Sequence, residues 1–441
     1  MKGRILLIFA ATLCIGAAAQ TTVLDLTLDR AIEIALAENP TIKIADMVIQ
    51  RYDYVRDGYI ANLLPSASAS GSYSRNVISQ KLGGSISIQG KNTITAGATV
   101  GMPLFAPGVY ASLRLTREQM VGAVEAARGS KLSLVNEVKK AFYNALLAQN
   151  SLEVLHSAES NIKEVVNNVR TLYNNGLAAE YDLISAEVQQ SNLHPTIIQT
   201  ENAIDISKML LKMYLCLPEN VNITLRGDLN DYIGRAKSSN SVFITDVDEN
   251  SMLRSLDIQS RVLTQQLRVM RTQRMPVVAA FGNIQFMGQD FNLSGFLPGT
   301  GDSESSKYKY NWQHPAAVGV QVSVPIFAGG GNTARERALR NNIEQLNLQR
   351  NYAEEGLQVQ AVNTINSIIA ANERMSATQN TIVQAQKAYD ISTVRYNAGA
   401  GTMLELNSSQ LSLTQAQLNH TQSIYDYLSA LADYEQIIGK E

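Results

Sequence analysis

From Leu134 onward, apolar and small residues recur in alternating steps of four and three. The line runs Leu134, Val138, Ala141, Ala145, Ala148, Leu152 and Leu155, passes one polar position at Glu159, and continues through Ile162, Val166, Val169 and Tyr173. After Gly176 a second line runs Leu183, Ala186, Gln190, Leu193, Ile197, Thr200, Ile204, Ser207, Leu211 and Tyr214. The same rhythm flanks Gly399, where Leu404, Leu411, Leu418, Tyr425 and Ala432 fall seven apart. A 3.5-residue period held this long predicts helices packed as coiled coils. Helices over 110–175 and 331–397, about 65 residues each, would extend about 100 Å at 1.5 Å per residue. That is a spanning length, not a domain length. Pro195 removes a helical hydrogen bond and predicts a kink in the first return helix. Residues 218–250, rich in Asn, Asp and Ser, interrupt the pattern.

Elsewhere the period falls to two. In Thr93–Met102, Ile94, Ala96, Ala98, Val100 and Met102 alternate with Thr93, Thr95, Gly97, Thr99 and Gly101. In Ala316–Pro325, Val318, Val320, Val322 and Val324 alternate with Gly319, Gln321 and Ser323. Ser66–Ser74 and Val277–Phe286 are their expected hairpin partners, joined through long polar loops at 76–92 and 287–314. Ten alternating residues suit a strand of membrane-crossing length. An amphipathic helix is expected before each hairpin, over Thr27–Asn62 and Glu249–Met275, the first capped by Thr27 and ended by Pro65.

These patterns occur twice at a near-constant offset. Val100-Gly101-Met102-Pro103-Leu104-Phe105-Ala106 is matched by Val322-Ser323-Val324-Pro325-Ile326-Phe327-Ala328, and Tyr173-Asn174-Asn175-Gly176 by Tyr396-Asn397-Ala398-Gly399. The chain therefore divides into a leader, 1–19, and two copies of one unit, 20–248 and 249–441. The leader has Lys2 and Arg4, an apolar run from Ile5 to Ile15, and the cleavage site Ala17-Ala18-Ala19. Cys14 lies inside the apolar run, behind a poor lipobox. Cleavage would leave 35 Lys plus Arg against 39 acids, a net charge of −4, and Cys216 as the sole thiol. No window beyond the leader is apolar enough for a transmembrane helix. Any membrane span would be made of strands.

Composition then narrows the function. Among 441 residues, nine Phe and one Trp are poor filling for three globular cores. Balanced charge gives no basic footprint for nucleic acid. His156, His194, His314 and His420 lack metal-ligand spacing, and no nucleophile motif is present, so neither a metal, a cofactor nor an enzyme is expected. Gly329-Gly330-Gly331-Asn332-Thr333-Ala334 resembles a dinucleotide fingerprint, but a long helix without a second parallel strand follows it. A strand-to-helix swivel is the better reading. Tyr308, Tyr310 and Trp312 suit an interfacial aromatic girdle or ordinary loop packing about equally. Asp182 and Glu405 fall in the first turn of each return helix, favourable at a helix N-terminus by about 0.3–1 kcal/mol or serving as a cation-selective ring at a pore mouth.

Taken together, Leu26-Thr27-Leu28-Asp29-Arg30-Ala31 through Asn39-Pro40, the paired Pro-Leu/Ile-Phe strand exits and the duplicated Tyr-Asn-x-Gly tips resemble the TolC-like outer-membrane efflux protein family. The resemblance implies a mixed α/β membrane protein, a homotrimer whose long helices form an α-barrel and whose four strands per protomer make one 12-stranded β-barrel. It implies a passive channel in the outer membrane of a Gram-negative bacterium, embedded in outer-membrane lipid and reaching into the periplasm. There it would couple to a periplasmic adaptor and an inner-membrane efflux or secretion transporter. It implies a periplasmic gate at Asp182, Tyr396 and Glu405. It also implies adaptor docking at Asn175, Gly176 and Leu177 and at Ala398, Gly399 and Ala400. Gly401 and Ser408 depart from the family, standing where the best-known members carry Arg and Asp. The rival reading is a surface-anchored coiled-coil stalk or adhesin with no conduit, which would leave two symmetrically placed hairpins unexplained.

Overall fold

A computed structural model describes residues 23–78, 81–82, 86–87, 92–218, 220–239, 243–290 and 310–440. The leader with Cys14, the acidic stretch 302–306 and Tyr308 lie outside the described residues. In chain order, β1 (Val23–Leu26) leads into α1 (Leu28–Glu38) and α2 (Pro40–Ala61). There follow β2 (Ser66–Arg75), the short β3 (Lys81–Leu82) and β4 (Ile86–Ser87), and β5 (Asn92–Phe105). Then come α3 (Pro107–Asn174), α4 (Glu180–Leu215), β6 (Asn222–Leu225) and α5 (Leu229–Ser239). The second half runs α6 (Ser251–Thr272), β7 (Val277–Asp290), β8 (Tyr310–Gln313), β9 (Ala316–Ser323), α7 (Gly331–Asn397) and α8 (Met403–Ile437). Two compact units interleave: Met1–Ala45, Ala127–Leu253 and Ala353–Glu441 form one, Asp46–Ala126 and Arg254–Tyr352 the other.

The expected helix 27–62 is two helices. Proline disfavours helical geometry in the residue before it, and Asn39 is extended (φ −64°, ψ 127°), so α2 begins afresh at Pro40. The interruption at 218–250 is also more ordered than expected. Its β6 pairs in parallel with β1, Leu26 opposite Leu225, and Leu229 and Tyr232 of α5 enter the core of the first unit. The scarce aromatics are concentrated there: the rings of Phe142, Tyr143 and Tyr232 meet edge-on with centroids 5.7–6.4 Å apart.

In the second unit the strands form one antiparallel sheet in the order β2-β5-β7-β9, with β8 continuing β9 along β7. The two hairpins are joined by pairing of β5 with β7 that runs from Phe105 opposite Val278 to Thr93 opposite Gln289. Register aligns Ala69, Ala98, Ile284 and Ala316, and likewise Ala67, Val100, Gly282 and Val318, on one face. Ser68, Thr99, Asn283 and Ala317 lie on the other. One slip of register would exchange the two sets. The apolar face is uncovered: Val318 is 90% exposed, Val320 and Val322 61%. Trp312 stands opposite Gly288 and lies over it, on the same face as Phe286 and Tyr73. The strand of 10 residues falls within the roughly 9–11 needed to cross a bilayer, and those of 14 exceed it. Among the described residues no helix is long and apolar enough to cross one. Among the described residues both outer edges, β2 and β9, are unpaired.

Candidate functional site

The two long helices end alike. At the first tip Gly176 has φ 72°, its N–H donates to Tyr173 O (2.9 Å), and Leu177 N–H donates to Leu172 O (2.8 Å). At the second, Gly399 has φ 72°, its N–H donates to Tyr396 O (3.0 Å), and Ala400 N–H donates to Arg395 O (2.9 Å). Both are Schellman closures, in which a residue in the left-handed region lets the last carbonyls find donors. A Cβ at either glycine would meet open space, so backbone conformation alone demands glycine there. Asn175, Gly176, Leu177, Ala398, Gly399 and Ala400 are all exposed, and Leu177 is 75% so. Asn175 is otherwise engaged, donating from Nδ2 to Thr171 O at 2.8 Å.

Behind the turns, Tyr396 is buried among Ile162, Val166, Val169, Ala186, Met403 and Leu406. Burial pushes its hydroxyl pKa up, and the negative charge of Asp182 adds to the shift. Asp182 and Tyr396 are thus brought together from different helical hairpins. Glu405 is engaged elsewhere. Its N–H donates to the Thr402 hydroxyl at 3.2 Å, the first half of a capping box. Its carboxylate lies 3.6 Å from the Arg395 guanidinium, which also donates to Ala400 O at 3.2 Å. Arg395 is the residue that sequence reasoning missed. The only signal was that Arg395 precedes Tyr396 where Leu172 precedes Tyr173. Gly401 has a steric reason: a Cβ there would approach Arg395 Cβ and Tyr396 N to 3.1 Å. Polar rungs tie the hairpins near the tips, with Asn168 Nδ2 donating to Asn397 Oδ1 (2.9 Å) and Asn407 Nδ2 to Ser185 Oγ (3.2 Å). Among the described residues no group of three or more His, Cys, Asp or Glu is placed to hold a metal.

A sheet with an exposed apolar face, duplicated helices of 68 and 67 residues and twin glycine tips define the class of membrane proteins that combine spanning strands with long helices. The sequence profile of the outer membrane efflux protein family matches residues 31–215 and 248–440, most of the chain, and the chain belongs to that family. It is 20% identical over 316 residues to the outer membrane protein TolC of Vibrio cholerae, covering 71% of this chain and 69% of that one. Its fold resembles VceC of Vibrio cholerae, with a TM-score of 0.71, 17% identity, and 93% and 96% of the two chains covered. It also resembles CusC, with a TM-score of 0.74, 16% identity and 94% and 92% coverage. The fold class is therefore that of the outer membrane efflux channels, a trimeric α-barrel of long helices plus a β-barrel of four strands per protomer. The protein is an outer membrane channel, not an enzyme. The stalk reading falls with that assignment.

Proposed function

We propose that the chain is a passive duct from periplasm to exterior, working with a periplasmic adaptor and an inner-membrane efflux or secretion transporter. Three copies would each give two repeats, 20–248 and 249–441, and four strands. The observation that carries this reading is the sheet: a continuous apolar face, a polar face and two open edges. Open edges are not tolerated in lipid, so the sheet needs further copies to close, and closure encloses the Ser/Thr/Gln face as a wet lumen. The helices support the same reading. α7 leaves Val359, Val362, Ile369, Val383, Ile391 and Val394 exposed, a stripe that a neighbouring copy would cover.

On this reading the exposed glycine turns receive the adaptor, while Tyr396, Asp182 and Glu405 line the closed periplasmic mouth. Gly176 and Gly399 are the direct test. Replacing either with Leu imposes a left-handed conformation on a branched side chain, costing about 1–2 kcal/mol, at a turn that contributes no residue to the sheet. The purified variants should remain trimeric and conduct in planar bilayers, yet recover less adaptor on crosslinking from whole cells. Undiminished adaptor recovery by both variants would remove the docking assignment. A wild-type trimer that passes no current would remove the duct.

A further inference from the structure

The sheet meets its helices in a zone of one-sided charge. Between Ile258 and Gln289 the chain has four arginines and no acidic residue, and between Ala316 and Asn342 it has three arginines and a single acid, Glu336. This occurs in a chain whose net charge is −2. Every cation in both stretches is Arg, whose planar fork suits phosphate better than lysine's point charge. Arg274 lies three residues before Val277, where β7 begins opposite Ser323 at the end of β9. Its guanidinium donates to Thr333 Oγ1 at 3.1 Å and meets Glu336 Oε2 at 3.2 Å. Arg271 Nε and Arg340 Nη2 donate to Glu336 Oε1 at 3.0 and 2.8 Å.

One carboxylate, its side chain 11% exposed, therefore gathers three guanidinium groups that are each about half exposed. Two positive charges are left over. Arg335 and Arg337 beside them are exposed and have no ion-pair partner among the described residues. Immediately before α7 comes an apolar segment, with Ile326 94% and Phe327 87% exposed. The stretch before the first hairpin lacks such an excess, because Arg56 is neutralised by Asp53 (3.1 Å) and Asp57 (3.2 Å). Apolar side chains flanked by arginine at a membrane boundary form an interfacial anchor with a preference for anionic lipid.

We propose that Arg271, Arg274, Arg335, Arg337 and Arg340 form a collar that binds the phosphates of anionic phospholipid in the leaflet facing the helices. The proposal rests on the sheet being the membrane span. The test uses the full processed chain in nanodiscs of equal phosphatidylglycerol and phosphatidylcholine, with the lipids retained after gentle release counted by native mass spectrometry. Phosphatidylglycerol should be enriched, and Arg335→Gln with Arg337→Gln should cut the enrichment about fivefold or more. Among the described residues those two side chains hold no partner, so the variant keeps its fold, which its trimer mass checks. Inorganic phosphate should not compete. Equal retention of the two lipids, an enrichment indifferent to the double variant, or its loss to inorganic phosphate would overturn the proposal. So would a change in anion selectivity with lipid retention unchanged, which would put the arginines on the lumen wall. Conductance of the same preparation separates the two readings: a conducting trimer without enrichment removes only the collar, and a silent one removes the duct.

Discussion

Asn39 and Asn250 make the same pair of hydrogen bonds in the two halves of the chain. Asn39 Oδ1 accepts from Thr41 N–H (2.9 Å) while its Nδ2 donates to Tyr214 O (2.9 Å). Asn250 Oδ1 accepts from Met252 N–H (2.8 Å) while its Nδ2 donates to Ile437 O (2.7 Å). Each side chain starts one helix and satisfies a carbonyl orphaned at the end of another. The return helices themselves end differently. Cys216 has φ 53° and closes α4, and Gly439 has φ 69° and follows α8. A side chain in the left-handed region costs about 1–2 kcal/mol, and glycine's extra chain entropy gives back about 0.5–1. Cys216→Gly should therefore stabilise by about 0.5–1 kcal/mol. The reverse change at Gly439 should cost more than that strain, because a Cβ would overlap the Glu249 carbonyl, which Arg128 Nη2 holds at 2.7 Å. Urea midpoints of the detergent-solubilised protein should move in opposite directions for Cys216→Gly and Gly439→Cys. Equal midpoints would mean that neither cap limits unfolding.

Among the elements, what was legible in sequence was periodicity, and what was not was which stripe of a helix faces which neighbour. The strands and long helices fall within a few residues of their expected bounds because alternation and heptads are local signals. The break at Asn39 needed only the rule for residues before proline. Pro195 predicted a kink, and α4 keeps one helical span through it from Glu180 to Leu215. In α8 the expected heptad line is displaced by one position near the tip, where Leu404 and Leu411 are 70% and 58% exposed and Met403, Leu406, Gln410 and Leu413 are buried, whereas Tyr425 and Ala432 farther along pack inward. A helix in a barrel wall has two lateral seams, and sequence does not say which one its own chain fills. The same holds at the tip, where Arg395, Tyr396 and Glu405 lie within eleven residues of one hairpin while Asp182 comes from the other. The Arg395–Glu405 pair makes a prediction at this scale. Both side chains are about half exposed, so the pair adds little stability, but on the proposed gate reading it occupies a carboxylate that would otherwise meet cations. In planar bilayers Arg395→Gln should deepen block by multivalent cations, and Glu405→Gln should relieve it. Should neither change the block, Glu405 is a helix-capping residue and nothing more.

At the scale of the whole molecule, near-neutral net charge conceals segregation, with arginine gathered where sheet gives way to helix. The sheet itself is half-finished. Its neighbours alternate in direction from β2 through β5 and β7 to β9, so β9 runs antiparallel to β2. A second copy can therefore add to either edge without reversing the alternation that up-and-down barrels require. Bilayer-spanning barrels begin at about 8 strands, so strand count alone would allow two copies, and the family fold selects three. Cysteines on the two edges decide the number directly. With Cys216, the one thiol among the described residues and an exposed one, replaced by Ser, the pairs would place one Cys at Ser68, Ser70 or Ser72 and the other at Ala317 or Gln321. All five positions lie on the polar face. Disulfides need Cβ atoms about 3.5–4.5 Å apart, so only pairs brought into register between copies will close. At least one pair should give a covalent ladder on denaturing gels that stops at three chains and collapses on reduction. A ladder ending at two would mean a barrel of about eight strands, two thirds of the number that three copies supply. One running past three would mean that the edges join in open arrays and enclose no lumen.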